Sequence, residues 1–315
     1  MPQSTISVVI PSYNHSLFIK HTLDAIFKQK VEINKIIVID DGSNDDSVEI
    51  IEQTLPKSPF PCELIVRENR GLSATLNEGL AKTDGDYFAY IGSDDLWLPD
   101  FLANRIELLD SRPNAVLAFG HSFLINEHQE ITDCTRNWTS YADGDMLPLL
   151  LKGVIPLSPS VVYRRKAVEK YGWNENSILE DYELYLKLSK DGEFALDTNV
   201  LCAWRQHGWN VSKDFSRMLD EWISAQNRVA GHLGISPDEL EKIQAELKFN
   251  STEDLIRSGK KKEAIMLLRE NIKSAKSISK VGKMLLKLAI PAHIFQWNRK
   301  RKFNNSIKTF GKLEI

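Results

Sequence analysis

The run Tyr87-Phe88-Ala89-Tyr90-Ile91-Gly92-Ser93-Asp94-Asp95 sets apolar and aromatic residues directly against a serine and two carboxylates. Branched and aromatic side chains pack well on a pleated surface, so its first five residues read as a buried strand. Asp94 and Asp95 then stand at the strand's carboxyl end. In open α/β sheets ligands bind at that edge, and adjacent carboxylates there suit a hard divalent cation holding phosphates. Taken alone, Ser93-Asp94-Asp95 reads equally as the cap and first turn of a helix. The flanking segments decide between the two readings.

Upstream, residues 6–10 form a strand that runs into the loop Pro11-Ser12-Tyr13-Asn14, after which Ile19, Leu23, Ile26 and Phe27 fall on one helical face. Residues 36–39 are a second strand, apolar throughout as expected when helices cover both faces of a sheet. It ends at Asp40-Asp41-Gly42-Ser43, where Ser43 and Asp46 have the spacing of a capping box. Residues 64–66 make a third strand, and Leu72, Leu76 and Leu80 recur every fourth residue on another helix. This rhythm implies right-handed βαβ crossovers and a parallel sheet. Downstream come a helix over 99–110, a strand over 116–119 and a polar span over 126–145 that is either a loop or an extra hairpin. A strand over 161–163, a helix over 181–190 and a strand over 200–204 complete the α/β part, and from Trp222 the pattern is helical.

The chain has 315 residues and a formal charge of −3, but its last 45 residues carry 11 Lys/Arg against 1 Asp/Glu. Cys62, Cys134 and Cys202 are odd in number and widely spaced, which indicates neither a disulfide framework nor a zinc site. No basic segment followed by a long apolar core opens the chain, and no apolar run reaches the ~20 residues of a membrane-spanning helix. A cytoplasmic protein is the expectation.

Several clusters carry chemistry. Tyr13 can stack on a base, and Asp40 or Asp41 can accept a hydrogen bond from a base N–H or a ribose hydroxyl. Arg70, in Glu68-Asn69-Arg70-Gly71-Leu72-Ser73, stands at a helix amino terminus, where anions are attracted. Glu180-Asp181 opens another helix, a place where acids also serve simply to balance the helix dipole. In Trp204-Arg205-Gln206-His207, the guanidinium can fork onto a phosphate and the imidazole can bind a metal, with Asn210 and Ser212 beyond. No G-x-G-x-x-G follows the first strand and no G-x-x-x-x-G-K-[ST] occurs, which argues against a dinucleotide fold and a P-loop.

In this order the segments VVIPSYN, IDDGS, ENRGLSATLNEGL, DGDYFAYIGSDD, GWNENSILEDYELYLKL and WRQHGWNVS resemble the family 2 glycosyltransferases of the GT-A fold, over about residues 6–212. The resemblance implies an α/β domain with a mostly parallel central sheet flanked by helices over residues 1–215, followed by a helical extension. It implies that Tyr13 and Asp41 meet the nucleotide base with Pro11 and Asp40 nearby, that Asp95 is a direct ligand of Mg²⁺ or Mn²⁺, and that Asp94 lies nearer the ribose and sugar. Asp181, beside Glu180, matches the catalytic base. Gly92 departs from the pattern, since many members carry an aspartate there. The implied activity is an inverting transfer from a UDP- or dTDP-sugar to a glycan or lipid-linked acceptor in surface polysaccharide synthesis. A non-catalytic sugar-nucleotide-binding or scaffold subunit is the alternative that the missing aspartate leaves open. Asp181, with the ordinary carboxylate pKa of ~3.9, is expected to be ionised at neutral pH. Trp138 and Trp173 are candidates for stacking on an acceptor sugar, Trp173 equally for core packing.

Over residues 216–276, Leu255 and Ile256, then Ala264, Leu267 and Leu268 after Gly259, suggest two short helices resembling one tetratricopeptide hairpin. Over 277–315, Val281, Met284, Leu285, Leu288, Ile294, Phe295 and Trp297 alternate with lysines and Arg299-Lys300-Arg301-Lys302. Such a pattern suits an anionic membrane surface at the inner face of the plasma membrane, and no nucleic acid partner is expected.

Overall fold

The structure is a computed structural model and describes residues 4–208, 215–275 and 277–314. Asn210 and Ser212 lie outside the described residues. Among the described residues, nine strands form one sheet: β1 (Ile6–Ser12), β2 (Lys35–Asp40), β3 (Cys62–Val66), β4 (Tyr87–Tyr90), β5 (Leu96–Trp97), β6 (Ala115–Ile125), β7 (Ile131–Cys134), β8 (Val162–Arg164) and β9 (Glu193–Arg205). Their order is β3-β2-β1-β4-β8-β6-β9-β5, with β7 paired to β6. Through β3, β2, β1 and β4 the pairing is parallel, as the βαβ rhythm requires. Beyond β4 the sheet is mixed: β8 runs antiparallel to both β4 and β6, β9 parallel to β6, and β5 antiparallel to β9.

Helices α1 (Ile19–Phe27), α2 (Ser47–Thr54), α3 (Leu72–Ala81), α4 (Phe101–Ser111), α5 (Leu147–Leu150), α6 (Arg165–Glu169) and α7 (Glu180–Asp191) connect and flank these strands. Successive strand side chains point to opposite faces, and β1 shows the consequence. Ile6, Val8 and Ile10 pack with Ile19, Leu23 and Leu102 on one side, while Val9 packs with Leu76, Tyr163 and Leu186 on the other.

The polar span beyond Ile125 folds as the extra hairpin, with β7 returning along β6. β6 and β9 are longer than their hydrophobic stretches suggest, because the register shifts between Gly120 and Ser122 and pairing then resumes. A Cβ on Gly120 would stand 2.6 Å from the Arg105 guanidinium, so the glycine makes room for the buried Arg105–Asp197 ion pair beside the shift. Resumed pairing carries β9 on to Arg205.

The carboxyl-terminal helices are α8 (Phe215–Leu233), α9 (Pro237–Arg257), α10 (Lys261–Asn271), α11 (Ile278–Ala289) and α12 (Ala292–Phe310). Leu219, Trp222, Ala225 and Val229 of α8 join the same apolar cluster as Tyr163 and Tyr185. The pair α9–α10 meets around Gly259, whose φ of +87° favours glycine, but α9 runs 21 residues and is not short. Leu255, Ile256, Ala264, Leu268 and Met284 make a separate small core.

Candidate active site

Parallel register brings the loops after β1, β2 and β4 to one sheet edge, since Ser12 faces Asp40 and Val9 faces Tyr90. Asn14 fastens the first two together. Its backbone takes the left-handed φ of +53°, which asparagine tolerates, while its N–H donates to Ser43 Oγ and its Oδ1 accepts from the Asn44 N–H. Pro11 is buried at the strand end, and Tyr13 is 46% exposed beyond it. Both carboxylates at the end of β2 are engaged. Asp40 accepts from the Ser43 N–H at 2.8 Å and Ser43 Oγ at 2.7 Å, so Ser43 closes this turn and the expected capping box does not form. Asp41 accepts from Arg67 and from the N–H groups of Arg70 (2.9 Å) and Gly71 (2.8 Å). Arg67, which the sequence did not single out, thereby ties the end of β3 to that of β2. The Arg70 side chain is largely exposed, 3.5 Å from Glu78.

Asp94 and Asp95 part company at the next loop. Thr22 of α1 donates to the carbonyls of Ser93 (3.0 Å) and Asp95 (2.8 Å), which fixes the turn. Asp95 is buried, and its Oδ1 accepts the Arg205 N–H at 2.8 Å. Burial, then the charge of Asp94, pushes the Asp95 carboxyl well above the usual carboxylate range. Asp94 Oδ2 meets His207 Nε2 at 2.8 Å, and its Oδ1 lies 3.8 Å from His15 Nδ1. Burial acts to raise Asp94 as well, but the His207 hydrogen bond and the two imidazoles prevail and hold it low.

Two placements differ from the sequence reading. The carboxylate grouped with the histidines is Asp94, while Asp95 turns its Oδ1 to the β9 backbone. Arg205 is fully buried and donates to the carbonyls of Asp94 (2.6 Å) and Asn126 (3.0 Å), so its guanidinium clamps the two loops together. Imidazole nitrogens of His15 and His207 and an Asp94 oxygen lie within 4.8 Å of one another, a donor set that fits a divalent cation. His15 had escaped notice because nothing in its spacing links it to Asp94.

Glu180 and Asp181 open α7 beneath the end of β4. The buried Tyr90 hydroxyl donates to Asp181 Oδ1 and approaches Glu180 Oε1 at 3.3 Å. Burial and the neighbouring Glu180 push the Asp181 carboxyl well above its ordinary value, against the expectation of an unperturbed acid. Trp173 is buried against Tyr90 (ring centroids 5.8 Å apart) and Tyr163 (6.1 Å), so it packs the core and does not meet a sugar, whereas Trp138 is exposed.

The family model described as glycosyl transferase family 2 matches residues 7–172, more than half of the chain. The chain belongs to glycosyl transferase family 2. This family 2 glycosyltransferase is similar to a glycosyltransferase of Rickettsia prowazekii, with 26% identity over 227 residues that cover 69% of each chain. Among solved structures it resembles the mannosyltransferase PcManGT from Pyrobaculum calidifontis, in complex with GDP-Man and Mn²⁺. That likeness has a TM-score of 0.63 at 17% identity, covering 98% of this chain and 87% of the other. It also resembles S. aureus TarS 1-349 in complex with UDP-GlcNAc, with a TM-score of 0.61 at 15% identity, covering 97% and 91%. At these identities the likeness is one of fold, and it bears out the GT-A architecture with its carboxyl-terminal helices.

Proposed function

We propose that this glycosyltransferase moves a sugar from a nucleoside-diphosphate donor, a UDP- or dTDP-sugar, to a hydroxyl of a glycan or lipid-linked acceptor, with inversion. The observation that carries this reading is the Asp181 carboxyl, aimed by the Tyr90 hydroxyl at the end of the strand that leads into Asp94. Tyr13 is free to stack on the base, and Asp41 Oδ2, with the Gly71 N–H as its one donor among the described hydrogen bonds, can accept the N3–H of uracil or thymine. Asp94 and His207, with His15 close by, suit Mg²⁺ or Mn²⁺. Such an ion would neutralise charge on the departing diphosphate.

Asp181 takes the proton from the acceptor hydroxyl as that oxygen bonds to the anomeric carbon. The bond from this carbon to the diphosphate oxygen breaks on the opposite face, and the electron pair leaves with the diphosphate. A raised pKa makes Asp181 a better proton acceptor once it is ionised. The paired carboxyl and the histidine-flanked Asp94 favour an enzyme over a scaffold subunit. Asp181→Asn is expected to lower transfer by about 10²–10⁴-fold. Stabilisation by the donor in thermal shift should be retained, because Asn keeps the shape of the site. Unaltered turnover in that variant would remove Asp181 from the mechanism.

No helix among the described residues is long and apolar enough to cross a membrane. We propose peripheral attachment at the inner face of the plasma membrane, through α11 and α12.

A further inference from the structure

We infer that His15 is a third protein ligand of the divalent cation, and that the His15–Asp94–His207 set favours Mn²⁺ or Co²⁺ over Mg²⁺. The inference rests on the metal-dependent reading above and extends it to one residue and one selectivity. Three observations carry it.

The first is convergence. His207 Nε2 stands 2.8 Å from Asp94 Oδ2, and His15 Nδ1, hydrogen-bonded to Ser93 Oγ at 2.7 Å, lies 3.8 Å from Oδ1, so the two imidazoles flank Asp94 and ligation through His15 Nδ1 takes the place of its Ser93 contact. The second is a frame that holds both rings. The Phe18 ring stacks on His207, with centroids 5.3 Å apart and 22° between planes, and meets His15 edge-on at 6.1 Å. Arg205 lies over the same phenyl ring at 4.8 Å. The His15 backbone is fixed too: its N–H donates to Ser47 Oγ at 3.0 Å, and its carbonyl accepts from the N–H groups of Phe18 and Ile19 at 2.9 Å each. The third is Gly92. A Cβ there would stand 2.8 Å from Asp94 Oδ1, the oxygen that faces His15. Any side chain at position 92 would push that oxygen aside, so the glycine leaves Asp94 directed at His15.

Chemistry then sets the selectivity. A site of carboxylates suits Mg²⁺, whereas imidazole nitrogens strengthen binding along the series from Mn²⁺ through Co²⁺. Mg²⁺ also demands near-ideal octahedral oxygen coordination and gives up water reluctantly. Two imidazoles out of three protein ligands therefore weight the site towards a transition ion.

The test is Mn²⁺ titration of the full-length protein, followed by the electron paramagnetic resonance signal of free Mn²⁺, with and without UDP, for wild type and His15→Gln. The expected result is a dissociation constant raised by about tenfold or more in the variant, the scale on which even outer-shell partners alter metal affinity. Mg²⁺ should displace Mn²⁺ from the wild type only in large excess, and that discrimination should shrink in His15→Gln. An unchanged melting temperature in metal-free buffer confirms that the variant is folded. Gly92→Ala, which leaves His15 intact, should weaken Mn²⁺ binding in the same direction. Equal Mn²⁺ affinity in wild type and His15→Gln would overturn the assignment of His15 while leaving a metal-dependent transferase standing. A wild type that binds no Mn²⁺, even with UDP, would overturn the metal-dependent reading itself.

Discussion

At the scale of single residues, the pairing of Tyr90 with Asp181 has a consequence for pH. The Asp181 carboxyl is raised by burial and by Glu180, while the Tyr90 hydrogen bond acts the other way by stabilising the anion. As the proposed base, Asp181 works only when ionised, so turnover should fall as pH drops through the raised value. Tyr90→Phe removes the stabilising donor and leaves the two causes that raise the pKa. The acid limb of the rate profile should therefore move to higher pH, and turnover at pH 7 should drop by about tenfold, the cost of one hydrogen bond to a charged group. A rate profile superimposable on that of wild type would rule out this role for Tyr90. The acidic pair at the start of α7 was legible in the sequence, and the role expected of Asp181 came from the family resemblance and not from the pair itself. Tyr90 was legible only as a strand residue, because a contact across 91 positions has no local spacing to announce it. Asp94 and Asp95 are adjacent and chemically identical, and what separates them is the path of β9, which places the Arg205 N–H against one and His207 against the other.

At the scale of elements, the strands that could be read were those with helices on both faces, because burial on two sides demands an unbroken apolar run. β5 spans two residues and exists by pairing with β9, and the first half of β9 includes Glu193 and Asp197, so neither shows the pattern. The α3–β1 contact is a close helix–strand approach at a glycine. A Cβ on Gly79 would lie 2.6 Å and 2.7 Å from the two γ-carbons of Val9, which is the centre of the strand leading to Tyr13. Gly79→Ala gains helix propensity but overpacks this contact, a penalty of about 1–3 kcal/mol that outweighs the propensity gain of about 1 kcal/mol at most. The melting temperature should fall by several degrees, with Mn²⁺ affinity unchanged. A rise would mean that α3 can shift outward without strain.

At the scale of the whole molecule, the basic tail returns to the catalytic domain. The Ile131 N–H donates to the Gly311 carbonyl at 3.0 Å, and the Leu313 N–H to that of Gln129 at 2.9 Å, so the end of the chain pairs with the β6–β7 hairpin. Leu313 is buried with Leu96, Ile125 and Ala203. The same hairpin turn supplies the Asn126 carbonyl that Arg205 grips, so the tail and the Asp94 loop share one support. The charge asymmetry was visible in the sequence, but this return was not, since one leucine beyond a helix carries no signal of a distant strand.

Val281, Met284 and Leu288 of α11 pack inward, leaving Ile278, Leu285 and Leu286 exposed with Lys280 and Lys283 nearby; on α12, Trp297 is exposed beside Arg299-Lys300-Arg301-Lys302. Burying each leucine in a bilayer interface gains up to about 1.5–3 kcal/mol, and each basic residue near an anionic surface about 1 kcal/mol. Both contributions are needed for stable attachment. Full-length protein should therefore float with vesicles containing phosphatidylglycerol, sink with phosphatidylcholine alone, and come off the anionic vesicles as salt is raised. The double variant Leu285→Asp/Leu286→Asp should sink with both. It is a cleaner probe than truncation, which would strip Leu313 from its cluster and disturb the hairpin. If the wild type fails to float with anionic vesicles at low salt, the exposed face of α11 needs a different occupant and membrane attachment has to be given up. If the double variant floats as well as the wild type, the basic residues of α12 suffice and α11 takes no part.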